Sequence, residues 1–196
     1  MYKTVFRALA LAVSLLLANT AVANDNPHVT LATNRGDVVI ELFAEHSPVT
    51  VQNFLRYVAE GYYDGTIFHR VIKDFMVQGG GFEEGMLKKD GHQSVKNESD
   101  NRLSNERGTL AMARTNKPHS ATSQFFINVV DNEFLDFGAR GEGEWGYAVF
   151  GKVIEGMDVV DGFVERETTT VGPYRDVPVE AIVIQSARAD IAEETQ

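Results

Sequence analysis

Two short stretches of this chain set side chains of unlike chemistry next to one another. The first reads Phe68-His69-Arg70-Val71-Ile72-Lys73-Asp74-Phe75-Met76-Val77-Gln78-Gly79-Gly80. In an extended strand alternate side chains share a face, so Phe68, Arg70 and Ile72 point one way and a cation lies between two large apolar groups. Met76 and Gln78 share a face in the strand that follows. The second stretch, Ser123-Gln124-Phe125-Phe126-Ile127-Asn128, divides likewise, with Gln124 and Phe126 on one side and Phe125 and Ile127 on the other. Two strands thus each offer an amide beside a bulky apolar side chain. An arginine there stays charged and presents a rigid fork of donors. The plain alternative is that Arg70 covers apolar surface with its stem and keeps its head in water.

Other chemistries lack their residues. With no cysteine in 196 residues, disulfides, thiolate metal sites, iron–sulfur clusters and a cysteine nucleophile are excluded. No G-x-S-x-G surrounds a serine and there is no H-E-x-x-H. His28, His46, His69, His92 and His119 stand at no metal-ligand spacing, and no pair of carboxylates stands out as an acid and a nucleophile. No metal or cofactor is expected. Gly79-Gly80-Gly81 lacks the Lys-Ser/Thr of a phosphate loop and reads as a tight turn after a strand. Asn97-Glu98-Ser99 is a formal glycosylation sequon. A formal charge of −10 points away from nucleic acid and anionic membrane surfaces as partners.

The elements that must position these residues are mostly short strands. Val29–Thr33 and Asp37–Phe43 flank the turn cluster Asn34-Arg35-Gly36 and read as a hairpin. Ser47-Pro48 opens a helix, with Ser as N-cap and Pro in the first turn, and Val51, Phe54, Leu55 and Val58 form its apolar face before Gly61 stops it. Strands are predicted at Thr66–Ile72, Phe75–Gln78, Thr109–Ala113, Gln124–Val129, Tyr147–Lys152 and Val179–Ser186. A second helix spans Gly156–Val164, with Met157, Val160 and Val164 on one side. Many short strands with two isolated helices predict a mainly β fold, a closed antiparallel barrel with helices over its openings. Phe82–Gly108 is a long polar loop, a length that in a small domain is usually functional or else exposed. The polar tail from Arg188 is expected to fray.

Residues 1–23 read as a secretory leader. Lys3 and Arg7 form a basic start, Ala8–Ala18 is apolar apart from Ser14, and Ala21-Val22-Ala23 is a small-residue cleavage pattern. The apolar run is too short for a bilayer, which needs about 20 residues. The expectation is an exported chain of residues 24–196 forming a single domain.

The combination F-H-R-V-I-x-x-F-M-V-Q-G-G with S-Q-F-F-I resembles the cyclophilins, the cyclosporin-binding class of peptidyl-prolyl cis-trans isomerases. Gly108–Arg114 (GTLAMAR) and Val149–Val153 (VFGKV) fall in that family's order, and the likeness runs over nearly all of the chain after the leader. It is nearest to the bacterial periplasmic members. The resemblance implies an eight-stranded antiparallel barrel capped by two α-helices, with the active groove on its outer face. It implies Arg70 as the catalytic cation. Phe75, Met76, Phe126 and Leu135 would line the proline pocket, and Gln78 would hold Arg70 and the substrate backbone. Ala113, Arg114 and Gln124 would border the peptide groove, Arg114 through its main chain.

Where eukaryotic members carry a Trp and a rim His, this chain has Phe134 and Tyr147, so weak cyclosporin binding is expected. Trp145 reads as a loop residue, and His69, on the opposite strand face from Arg70, as a packing residue. The implied partners are proline-containing unfolded or extended segments of exported proteins, met by a monomer in the periplasm. Two other readings stay open: a holding module that uses the same groove without catalysis, and an exported hydrolase built on His69.

Overall fold

A computed structural model of the chain describes residues 26–190; the expected leader, the expected start of the exported chain at Asn24 and the tail beyond Asp190 lie outside the described residues. The strands in chain order are β1 His28–Thr33, β2 Gly36–Leu42, β3 Thr66–Ile72, β4 Met76–Glu83, β5 Leu87–Lys88, β6 Thr109–Met112, β7 Phe125–Asn128, β8 Val149–Glu155, β9 Thr168–Val171, β10 Tyr174–Pro178 and β11 Ile184–Asp190. The helices are α1 Pro48–Ala59 and α2 Met157–Val164. Eight strands pair in the order β11-β1-β2-β8-β6-β7-β4-β3, with β5 alongside β4. The two edges of this sheet meet. The Gly65 N–H donates to the Ile184 carbonyl at 2.8 Å and the Phe68 N–H to the Ile182 carbonyl at 2.9 Å, beside an Ile67–Val183 bridge. Closure removes the exposed edges that an open sheet would leave.

Strand alternation fills the barrel. Leu31, Ile40, Val71, Val77, Leu110, Phe125, Ile127, Phe150 and Ile184 belong to one buried cluster. Phe54 and Tyr57 of α1 and Val160 and Phe163 of α2 join it, so both helices plug the barrel as their apolar spacing implies. Phe163 is fully buried and Val164 only partly, so the inner face of α2 is turned slightly from the expected one.

The helix cap differs from expectation. Ser47 occupies the N-cap position, but its hydroxyl is buried and donates to the Val149 carbonyl at 2.7 Å. The free amides of the first turn are taken by a carboxylate from the long loop instead. Glu98 accepts from the N–H groups of Val49 and Thr50 at 3.1 and 2.8 Å and from the Thr50 hydroxyl at 2.7 Å. A negative charge is favourable at this end of a helix dipole. Part of the long loop is therefore structural: Asn97, Glu98, Ser99 and Asn105 are all buried. The Asn97 amide donates to the carbonyls of Pro118 and Gly146, which leaves the sequon without an accessible acceptor.

Three further differences have local causes. Gly79-Gly80-Gly81 is not a turn; it lies within β4. From Gly79 to Glu83 that strand advances four residues while β3 advances two, from Phe68 to Thr66. Gly80 takes φ +77°, and a Cβ there would come within 2.8 Å of the Tyr63 ring and 3.0 Å of Phe125. The β9–β10 hairpin escapes sequence reading because all four residues of β9 are exposed and show no alternation. The last strand starts at Ile184 rather than Val179, which is exposed, and runs through Arg188 to Asp190. Arg188 is held there by Asp64, at 2.9 Å, and this cation keeps the Asp64 carboxyl below its usual range.

Candidate active site

Register lines up four residues on adjacent strands: Arg70 of β3 opposite Gln78 of β4, Gln78 opposite Phe126 of β7, and Phe126 opposite Ala111 of β6. Their sequence neighbours Val71, Val77, Ile127 and Leu110 all point into the barrel core. The row itself therefore faces outward. On that outer wall Met76, Ala111, Phe126, Leu135 and Val149 form a second, separate apolar cluster, joined by Ile72, Phe75, Ala113 and Tyr147 among its partly buried members. Met76 and Gln78 share the face expected of them, as do Gln124 and Phe126.

Phe68 does not share it. The register slips by one residue between Phe68 and Arg70, so the side-chain alternation is broken there. Phe68 is fully buried in the core against Phe125 and Phe163, and Arg70 is left outside without it. His69 is 5% exposed and its ring packs 4.6 Å from Phe82, which in turn meets Tyr174 of the hairpin. Burial lowers its pKa to about 4, against a hydrogen bond with the Ile67 backbone, and the Arg70 charge adds to the lowering. A ring so enclosed is not a base for an incoming substrate, which removes the hydrolase reading.

The polar partners are also rearranged. The Gln78 side-chain amide donates to the Gln124 side-chain carbonyl at 2.9 Å rather than holding Arg70. Gln124 needs Gly81 opposite it, because a Cβ on Gly81 would fall 2.4 Å from the Gln124 Cγ. Among the described residues, Arg35, Arg107 and Arg188 pair with carboxylates, whereas no ion pair or side-chain hydrogen bond engages the half-buried Arg70.

One side of the groove is a loop that the core's polar network holds down. Phe75 stacks on Phe134 with centroids 5.7 Å apart, and Phe134 is 55% exposed. Leu135 beside it is buried in the outer cluster. Asn132 fixes this loop. Its side-chain amide donates to the Phe75 carbonyl at 2.9 Å and to Asn128 Oδ1 at 2.8 Å, and its N–H donates to the Asn105 carbonyl. Asn105 reaches on to Asp136 at 2.9 Å. Asn105, Asn128 and Asn132 were not singled out from sequence, since nothing in the pattern tells a buried asparagine from an exposed one.

The other side is built on Tyr147, whose ring meets Phe126 edge-on at 5.6 Å. Arg114 also shapes this side through its side chain, a part the sequence reading did not assign to it. Its guanidinium donates to the carbonyls of Gly146, Thr115 and Trp145 and lies 4.6 Å from the Tyr147 centroid. The Ala113 N–H bonds the Gln124 carbonyl at 2.9 Å, tying this rim to β7. Trp145 packs on His119 and Phe137, in a loop.

Barrels of this build, with a helix over each opening and an apolar groove on the outside wall, form the cyclophilin-like class. The family described as "Cyclophilin type peptidyl-prolyl cis-trans isomerase/CLD" matches residues 28–189, and the chain belongs to it. It is similar to peptidyl-prolyl cis-trans isomerase B of Escherichia coli, 56% identical over 158 residues that cover 81% of this chain and 96% of that one. It is also similar to peptidyl-prolyl cis-trans isomerase A of Dickeya dadantii, 51% identical over 189 residues covering 96% and 98%. Among solved structures it resembles a cyclophilin-type isomerase of Cryptosporidium parvum crystallised in the presence of the dipeptide Ala-Pro. That match has a TM-score of 0.70 and 32% identity, and covers 82% of this chain and 96% of the other. The chain is accordingly an enzyme of the peptidyl-prolyl cis-trans isomerase class.

Proposed function

We propose that the outer groove binds proline-containing segments of exported, incompletely folded proteins and that Arg70 drives rotation about the X–Pro bond. The observation that carries this reading is the row Arg70–Gln78–Phe126, in which an unpaired guanidinium stands two strands from the aromatic floor of an apolar pocket. Adjacent strands are about 4.8 Å apart, so the cation and the ring seat are separated by about 10 Å at their backbones, within reach of an arginine side chain and a bound proline between them.

Rotation about this bond makes and breaks no covalent bond, and its barrier is about 18–20 kcal/mol. In the twisted transition state amide resonance is lost and the prolyl nitrogen regains a lone pair. A guanidinium donating to that nitrogen bonds the twisted form better than the planar one, which is selective stabilisation of the transition state. Phe75, Met76, Phe126 and Leu135 seat the ring, with Phe134 and Tyr147 at the rim. Gln78 and Gln124, already bonded to one another, and Ala113 and Arg114 border the peptide backbone. Acceleration by five decades requires roughly 7 kcal/mol. One charge-assisted hydrogen bond supplies about 1.5–3 kcal/mol, so ring positioning and desolvation supply the remainder.

The leader, cleavage before Asn24, a periplasmic destination, a single domain over 24–196 and a monomeric state belong to the same proposal. The match to the Dickeya relative extends over 96% of this chain and that to the Escherichia relative over 81%, which supports a leader added to a self-sufficient domain. Among the described residues no helix is long and apolar enough to cross a membrane. Cyclosporin binding is weak in this reading, because Phe134 offers no indole N–H.

The test is refolding of a protein limited by proline isomerisation, with the chain and with its Arg70→Ala variant. The wild type speeds the slow phase, and a folded Arg70→Ala loses at least tenfold of that acceleration, roughly 1.4 kcal/mol. Undiminished activity in the variant refutes the role of Arg70. Binding without acceleration by the wild type favours the holding module.

A further inference from the structure

Three arginines surround the pocket although the chain as a whole is acidic, with 28 Asp and Glu against 18 Lys and Arg. Arg70 lies on one side of Phe126. On the other side, Arg114 and Arg140 stand 4.6 and 5.8 Å from the centroid of the same Tyr147 ring. Arg114 spends its side-chain donors on carbonyl oxygens, which leaves its positive charge uncompensated. Arg140 is exposed beside that ring, and among the described residues it forms no ion pair or side-chain hydrogen bond.

The acidic groups nearby form no ion pair with this rim. Asp136 accepts from the neutral groups of Ser104 and Asn105 and is not paired with either arginine. Glu142 and Glu144 sit in the Arg140 loop, exposed, and neither forms an ion pair with it. Arg114, partly buried against the Tyr147 face, is screened less by water than a fully solvated cation.

From this placement, and resting on the isomerase reading above, we infer that the enzyme selects X–Pro segments that carry an Asp or Glu close to the proline, with Arg140 and Arg114 as the specificity-determining cations. The Tyr147 ring is 5.6 Å from Phe126. An extended peptide advances about 3.3 Å per residue, so a carboxylate one to three positions from a proline seated on Phe126 reaches the arginine pair. A basic side chain at the same place meets repulsion from both. Complementary charge of this kind acts on selectivity and encounter more than on the chemical step.

The experiment uses one proline peptide with Glu, Gln or Lys placed in turn at each of the three positions on either side of the proline. Isomerisation kcat/KM is measured for each, and binding is followed by NMR titration. At one or two positions Glu exceeds Gln by about three- to tenfold, Lys falls below Gln, and the spread shrinks in 0.5 M salt because exposed charges are screened. Arg140→Gln brings the Glu/Gln ratio to within about twofold of one, while Arg140→Lys, which retains the charge, preserves most of it. Equal values for Glu, Gln and Lys, or a ratio unmoved by Arg140→Gln, overturn the inference. Failure to accelerate any peptide sinks the isomerase reading instead. The titration then decides separately: tighter binding of the Glu peptides upholds the acidic preference and equal binding overturns it.

Discussion

Phe68 and Arg70 are two positions apart on one strand yet lie on opposite sides of the barrel wall, because the pairing with β4 slips by one residue between them. The ring completes the core and the guanidinium faces the groove, so the two substitutions should separate cleanly. Phe68→Ala should cost about 3–5 kcal/mol of stability, read by urea denaturation, since it empties a fully buried aromatic site. Arg70→Ala should leave stability within about 0.5 kcal/mol and remove activity, because no ion pair or side-chain hydrogen bond among the described residues depends on it. Comparable destabilisation by both would contradict the outward placement of Arg70.

His69 ties stability to pH. Its folded pKa is about 4 against 6.5 for the free side chain. Between those values the unfolded chain binds the proton and the folded chain does not, so stability falls as pH drops from 6.5 toward 4. Below about pH 4 the loss is complete. The size is at most about 3 kcal/mol. His69→Phe, whose ring suits the site beside Phe82, should flatten this slope in denaturation curves taken at pH 7, 5.5 and 4.5. Identical slopes in the two proteins would dismiss the buried neutral imidazole. The Asp64–Arg188 pair contributes a separate loss at lower pH, as the carboxylate protonates below its usual range.

Glu98 is expected to matter more to α1 than the serine at its start. Glu98→Ala leaves two amides and a hydroxyl of the first turn without their partner and should cost about 1–2 kcal/mol. Glu98→Gln retains some acceptor capacity and should cost less. Melting temperatures ranked the other way would show that the loop carboxylate is not the cap.

Gly80→Ala should be among the most damaging single-methyl changes in the chain. The new Cβ meets two fixed aromatic rings, and the backbone is held at φ +77°. A loss of about 1–3 kcal/mol is expected from overpacking and strain together, with activity lowered as β4 shifts under Gln78. Gly85→Ala shares the same φ and has open space around its Cβ, so it isolates the backbone part; near-equal losses would exclude the packing part.

Much of the site is legible in the chain itself. Alternation places Met76 and Gln78 on one side of a strand and Val77 on the other, and does the same for Phe126 against Phe125 and Ile127. Periodicity finds both helices, and residue chemistry leaves the arginine and its apolar neighbours as the credible device. These readings rest on local rules, the two-residue period of a strand and the 3.6-residue turn of a helix, which hold wherever the strand or helix is regular.

What tertiary structure alone decided lies where regularity is interrupted or where the partner is distant in sequence. A slip in register turned Phe68 inward, and the three glycines became strand because aromatic rings and Gln124 pack against them. A carboxylate about 50 residues away displaced Ser47 as the cap, and Arg114 joined the rim through its side chain. Local sequence carries the propensity of each residue, but not which long-range packing contact will outbid it.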